Sequence, residues 1–200
     1  MPEIETGPIV LLLAAIGGYL LGSIPFGLVI ARVMRLGDLR TIGSGNIGAT
    51  NVLRTGNKTA AALTLLFDGG KAALAILAFA AWGEAAAQVA GLAAFLGHCW
   101  PVWVGFRGGK GVAAFIGIVL ALHWPSGLVT CLTWAGAAAV TRISSAGALA
   151  AAAVGPLLVI LFDRYEGLAL AVVLALVVFW RHHANIARLL AGTEPRIGQR

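Results

Sequence analysis

Long apolar runs interrupted by short polar stretches make up almost the whole chain. Residues 8–33, 59–81, 85–96, 112–141, 146–161 and 167 to about 180 are apolar, rich in Ala, Leu and Val, and without period-two alternation. A bilayer-spanning helix needs about 20 such residues, whereas barrel strands alternate between lipid and lumen. In lipid only helices and closed barrels satisfy every backbone group, so the pattern predicts an all-α integral membrane protein. Residues 112–141 are split by His123-Trp-Pro-Ser-Gly127, and assigning two short crossings there gives seven transmembrane helices. Ser23-Ile-Pro-Phe-Gly27 interrupts the first run, and a proline frees a carbonyl one turn earlier, so a kink is expected at Pro25. A plain packing kink and a kink facing a site both fit.

The charges then orient the chain. Residues 1–5 are acidic and lack the basic start of a cleavable signal peptide, while Arg32, Arg35 and Arg40 follow the first run. That places the N-terminus outside and, after seven spans, the C-terminus in the cytoplasm. Of the 14 Lys and Arg residues only Lys71 and Arg164 then escape the cytoplasmic side, and Glu3, Glu5, Glu84, Asp163 and Glu166 all lie outside. A chain 60% hydrophobic and only 11% charged is no ordinary soluble domain. The net charge of +6 reads as topology and headgroup contact, since no basic face carries interleaved aromatics for nucleic acid. Cys99 and Cys131 suggest no disulfide framework. His98, His123, His182 and His183 have no zinc spacing, so neither metal nor cofactor is expected.

Three polar stretches fall on one side of the membrane in this topology. Residues 43–58 hold Gly43, Gly45, Gly48 and Gly56, the small donors Ser44, Asn46, Thr50 and Asn51, and the cations Arg54 and Lys58, with no acid among them. Glycines let backbone N–H groups turn inward around an anion, and arginine offers a planar fork to phosphate oxygens. A flexible loop whose cations only set topology is the plainer reading. Residues 97–113 combine Pro101 and Gly105, Gly108, Gly109 and Gly111 with Arg107 and Lys110. This is no nucleotide P-loop, because Gly111 follows the lysine where Ser or Thr is needed. An anion site is favoured over an interfacial break anchored by Trp100 and Trp103. In residues 181–194, helical spacing sets Arg181, Asn185 and Arg188 on one face near His182; a surface helix contacting acidic lipid is the alternative. Within the second run, Asp68 and Lys71 are three apart and share a helix face, either as a functional pair or as a self-neutralised pin.

Gly43-Ser-Gly-Asn-x-Gly-Ala-Thr-Asn-x-x-Arg54, Gly97-His-x-x-Pro with Gly108-Gly-Lys-Gly-Val112, and Arg181-His-x-x-Asn-Ile-x-Arg188 with Gly192-x-Glu194 resemble the three motifs of the bacterial membrane glycerol-3-phosphate acyltransferases that use acyl phosphate. The resemblance runs through essentially the whole chain, Ser23–Gly27 included, and implies one transmembrane acyltransferase domain over residues 1–200. It departs modestly: Arg107 stands where lysine is usual, Trp103 where phenylalanine is, and Ala114 where threonine is frequent.

The resemblance implies transfer of a fatty acyl group from acyl phosphate to the 1-hydroxyl of sn-glycerol 3-phosphate. The products would be lysophosphatidic acid and phosphate, the first acylation of phospholipid synthesis, at the cytoplasmic face of the inner membrane. Carried over by motif, Gly43, Ser44, Gly45, Asn46, Thr50, Asn51 and Arg54 would bind phosphate and position substrate. Lys110 with the Gly108-Gly109 backbone would hold phosphate and steady the leaving group. His182, Asn185, Arg188 and Glu194 would complete the glycerol-phosphate pocket, and His98 would orient its loop or touch substrate. Ser44, Arg54, Lys110 and Asn185 are the expected catalytic residues. The partners would be the two substrates and membrane lipid, with a monomer expected. No histidine is followed five residues later by aspartate, so the His-x-x-x-x-Asp base of other acyltransferases is absent. Positioning and charge neutralisation would then do most of the work, the donor phosphate taking the proton. A transporter of phosphorylated metabolites is the competing class, disfavoured because the polar groups gather on one face and not at the midplane.

Overall fold

A computed structural model describes residues 6–198. The acidic residues 1–5 and the cation Arg200 lie outside the described residues. Ten α-helices and four short 3-10 turns account for the fold, and no strand occurs among the described residues. The helices are α1 (Pro8–Gly22), α2 (Phe26–Val33), α3 (Ala49–Leu53), α4 (Lys58–Phe79), α5 (Glu84–Cys99), α6 (Val112–Leu122), α7 (Trp124–Thr141), α8 (Ser144–Leu161), α9 (Leu168–Arg181) and α10 (His183–Leu190). Four segments are long and apolar enough to cross a membrane: Pro8–Val33, Lys58–Trp82, Glu84–Val104 and Ser144–Leu161. Tyr165–Arg181 with His183–Leu190, bent by 61°, makes a fifth if the pair is one span, and Val112–Leu122 is a shorter apolar helix.

Local chemistry sets the boundaries. Pro8 starts α1, where its missing N–H costs nothing. Asn57 caps α4 by accepting from the Ala60 N–H at 2.9 Å. His123 caps α7 through Nδ1, with Pro125 in its first turn, so residues 112–141 do divide into two helices. The break at Pro25 is sharper than a kink: α1 stops at Gly22 and α2 starts at Phe26, leaving three residues non-helical. The stretch 181–194 departs from one continuous helix, because the chain turns at His182 and puts Arg181 on α9 and Asn185 on α10.

Packing follows the logic of a lipid solvent. On α1 the buried residues are Ala14, Gly18 and Gly22, while Ile9, Leu12, Leu13 and Ile16 face outward. Hydrocarbon gives helices no hydrophobic reason to associate, so small residues that allow close backbone approach carry the contact. A methyl at Gly18 would lie 2.3 Å from the Ala90 carbonyl oxygen, and one at Gly22 would lie 2.0 Å from that of Ala94. This Gly-x-x-x-Gly face seats α1 against α5 and brings the Pro25 break beside the C-terminal end of α5. The main core joins α1, α4, α5, α6, α8 and α9 and is built from alanines with Ile76, Phe95, Phe115, Ile118 and Leu174.

Candidate active site

The start of α4, the ends of α5, α7 and α9, and the starts of α6 and α8 gather at one end of the bundle. Contacts across that end tie the three polar stretches together. Thr50 and Ser144 share a hydroxyl hydrogen bond of 2.8 Å, Lys110 Nζ donates to Asn185 Oδ1, and the Ile197 N–H donates to the Arg142 carbonyl at 2.6 Å.

The first stretch folds into a tight loop ahead of α3. Positive φ at Gly43 (53°) and Gly45 (68°) requires glycine there. Asn46 Oδ1 accepts from the Gly48 N–H, closing a local turn. Asn51, 2% exposed, is committed to architecture: Nδ2 donates to the Leu39 carbonyl at 2.8 Å and Oδ1 accepts from the Ser44 N–H at 3.1 Å. Ser44 remains exposed on the loop. The Arg54 guanidinium lies over Gly43, where a methyl would come within 2.7 Å of Nη1. No carboxylate pairs with Arg54 among the described residues.

The second stretch is held from two sides. The Gly108 N–H donates to the Cys99 carbonyl (3.2 Å) and the Gly109 N–H to the His98 carbonyl (3.0 Å). Arg181 donates from Nη2 to the carbonyls of Gly108 (3.2 Å) and Gly109 (2.9 Å), and its guanidinium stacks on Trp100. The backbone of Gly108-Gly109 is thus fully hydrogen-bonded within the protein, which leaves the Lys110 side chain as the loop's cation toward the site. Arg181, expected on the ligand-facing side of a helix, instead braces this loop. His98 is buried, its Nδ1 3.5 Å from Asp68 Oδ1.

The third stretch is organised by Glu194. Its carboxylate accepts from Ser145 Oγ (2.7 Å), Asn185 Nδ2 and Arg188 Nε (2.6 Å). Burial raises the Glu194 pKa, but the hydrogen bonds from Asn185, Ser145 and Arg188 outweigh it and hold the carboxyl below its ordinary value. His182 is 3% exposed and its Nδ1 faces the Val178 carbonyl at 2.7 Å, at the bend between α9 and α10. Burial pulls the Lys110 ammonium down to about 8; Glu194 opposes this, while Arg188, Arg181 and Arg54 add to it. An amine crowded by cations at the end of a bundle is a place where an anion is favoured.

Ser144 and Ser145 were not singled out in the sequence, and Arg142 counted only as a cytoplasmic cation, yet the structure brings all three to the same end. Their signal was available: a cation and two hydroxyls between apolar runs, on the side where the positive charges gather. A separate recess at the opposite end, lined by Glu84, His123, Ser126, Arg164 and Glu166, touches none of the three motifs.

Comparison with known proteins identifies the family. A profile of the family described as "Glycerol-3-phosphate acyltransferase" matches residues 12–192. A glycerol-3-phosphate acyltransferase of Ruegeria pomeroyi is 63% identical, with 100% of this chain and 99% of that protein covered. One from Cereibacter sphaeroides (strain ATCC 17029) is 64% identical over 100% of both. Among solved structures, PlsY (YgiH), an integral membrane glycerol 3-phosphate acyltransferase, superposes in its glycerol 3-phosphate form with a TM-score of 0.85, at 39% identity, over 94% of this chain and 96% of that one. Its lysophosphatidic acid form gives the same TM-score at 36% identity, over 94% and 95%. The chain is therefore a multi-pass membrane acyltransferase and belongs to the glycerol-3-phosphate acyltransferase family.

Proposed function

We propose that this enzyme acylates the 1-hydroxyl of sn-glycerol 3-phosphate with acyl phosphate as donor, giving 1-acyl-sn-glycerol 3-phosphate and inorganic phosphate. The observation that carries this is the excess of cations over acids around Lys110: Arg54, Arg181 and Arg188 crowd it, with Glu194 as its carboxylate neighbour among the described residues. Two phosphate groups must meet there beside a lipid chain. The glycerol 3-phosphate and lysophosphatidic acid forms of PlsY support the acceptor and the product.

In this reading residues 1–200 act as one domain of seven spans, N-terminus outside, in the bacterial inner membrane. The site faces the cytoplasm, where the positive charges gather. Arg54, Ser44 and Thr50 hold one phosphate, with Gly43, Gly45, Asn46 and Asn51 shaping their loop. Lys110, carried by Gly108-Gly109, neutralises the phosphate that leaves. Asn185, Arg188 and Glu194 position the glycerol hydroxyls, with His182 setting the bend that presents them. The acceptor oxygen attacks the acyl carbon, the bond from that carbon to the phosphate oxygen breaks, and the hydroxyl proton ends on the released phosphate. Positioning and charge neutralisation supply the rate, and no cofactor takes part.

The test is purified protein in detergent given glycerol 3-phosphate with either acyl phosphate or acyl-CoA, following phosphate release and extracted lysophosphatidate. Turnover with acyl phosphate alone is expected. Turnover only with acyl-CoA would overturn the donor. Substrate movement that needs sealed vesicles, without turnover in detergent, would replace the enzyme with a transporter.

A further inference from the structure

A buried polar chain leads from the Pro25 break to the Lys110 loop. Lys71 Nζ donates to the Ile24 carbonyl at 2.6 Å, which the break leaves without a helical partner, and to Asp68 Oδ1 at 2.8 Å. The same Oδ1 lies 3.5 Å from His98 Nδ1. Asp68, Lys71 and His98 are 3%, 4% and 5% exposed, so no substrate in the open site reaches them directly. The far side of the His98 ring carries Gly109: a methyl on that glycine would fall 2.2 Å from Nε2. The His98 carbonyl also accepts from the Gly109 N–H. Lys110 is the next residue. Its loop thus rests on the His98 ring and backbone from one side and on Arg181 from the other.

A buried ion pair is weak evidence of stabilisation, since apolar replacement of both partners is often neutral or better. A pair kept within an apolar helix therefore needs a further reason, and its contact with the loop supplies one. We propose that Asp68 is a positioning residue which, through His98, sets the height and orientation of the Gly108–Lys110 loop. His98 is then a prop for that loop and does not touch substrate. With Nδ1 carrying the proton toward Asp68, the ring is fixed in one tautomer and one plane, and Gly109 lies against its other edge. This assignment rests on the reading that Lys110 receives a substrate phosphate.

The test uses the whole 200-residue chain in detergent and the paired variant Asp68→Leu/Lys71→Met, which removes both charges and the oxygen facing His98, while the Ile24 carbonyl keeps the Phe26 N–H. His98→Gln and the triple variant accompany it, and all measurements are made on the monodisperse fraction. Amide hydrogen exchange reads the loop without reference to activity, and steady-state kinetics separate KM for glycerol 3-phosphate from kcat. The paired variant is expected to speed exchange at residues 105–111 by about tenfold and to raise KM or lower kcat by about ten- to a hundredfold. His98→Gln should do the same, and the triple variant should add nothing. Unchanged loop exchange with unchanged kinetics in the paired variant would overturn the proposal, as would additive effects in the triple. Faster loop exchange in a protein whose parent has no turnover would uphold the positioning role and remove the proposed reaction instead.

Discussion

The molecule holds two polar clusters that balance their charges in opposite ways. Around Asp68 one carboxylate answers one ammonium, the ammonium also donates to the Ile24 carbonyl at the helix break, and everything is buried. Around Lys110 the single carboxylate of Glu194 faces Arg54, Arg181 and Arg188 as well as the lysine, and the cluster opens at the end of the bundle. Inside an apolar helix an uncompensated charge is costly, so the first cluster closes on itself. The second keeps a surplus of positive charge, at the expense of the lysine's own proton affinity. A cluster that is complete without a ligand organises; a cluster that is incomplete without an anion binds one.

Substitutions should separate the two. The largest effect is expected from Lys71→Met, which strands the Asp68 carboxylate and should cost about 3–5 kcal/mol of stability. A lowered unfolding midpoint, or loss of monodisperse protein, reads this out. Next come Lys110→Ala and Arg54→Ala. Each should lower turnover on the order of 10²–10³-fold while leaving the unfolding midpoint unchanged or higher, because a crowded cation has been removed. If these variants unfolded as readily as Lys71→Met, the contrast between the clusters would fail.

Glu194→Gln should be milder, with loss of about 1.5–3 kcal/mol from the hydrogen bonds of Asn185, Ser145 and Arg188 and a raised KM for glycerol 3-phosphate. Because the folded carboxyl titrates below its ordinary 4.5, its contribution is present above that pH and disappears as pH falls through the lower folded value. Acid unfolding of the parent and of Glu194→Gln should therefore converge at low pH. The smallest effect is alkaline. Lys110 titrates at about 8 instead of 10.5, so affinity for phosphate should weaken as pH rises through 8. In the same window the unfolded chain keeps a proton that the folded one has released, so stability from this group rises between 8 and 10.5. A pH series of phosphate affinity, compared with Lys110→Arg, decides whether the limb belongs to this side chain.

Much of this contrast was legible in the chain, for physical reasons that differ by element. Apolar length gave the helices, and His123 with Pro125 gave the division of residues 112–141, because capping and proline chemistry act locally. Helical spacing also gave the Asp68–Lys71 pair. The turn at His182 was not legible: the spacing of Arg181, Asn185 and Arg188 suits one helix, and only tertiary packing, with Arg181 drawn to the Gly108 and Gly109 carbonyls, shows why the chain bends. Asn51 and Arg181 looked like ligand-facing groups, yet their hydrogen bonds go to the protein backbone, a distinction that residue type alone does not carry. Ser144 and Ser145 were passed over because two serines between apolar runs look like an ordinary helix start. The neighbouring Arg142 was the local signal, and the approach of Thr50 and Glu194, distant in sequence, makes it decisive.

The central claim is that the open cluster is completed by the phosphate of the substrate. Its most direct test is the unfolding midpoint of the parent and of the Arg54→Ala/Lys110→Ala variant, titrated with sn-glycerol 3-phosphate in the absence of donor. A ligand that binds only the folded state at a hundred times its dissociation constant stabilises it by about 2.7 kcal/mol. The account predicts a concentration-dependent rise in the parent that is lost in the variant. An equal rise in both would contradict it and move the phosphate elsewhere.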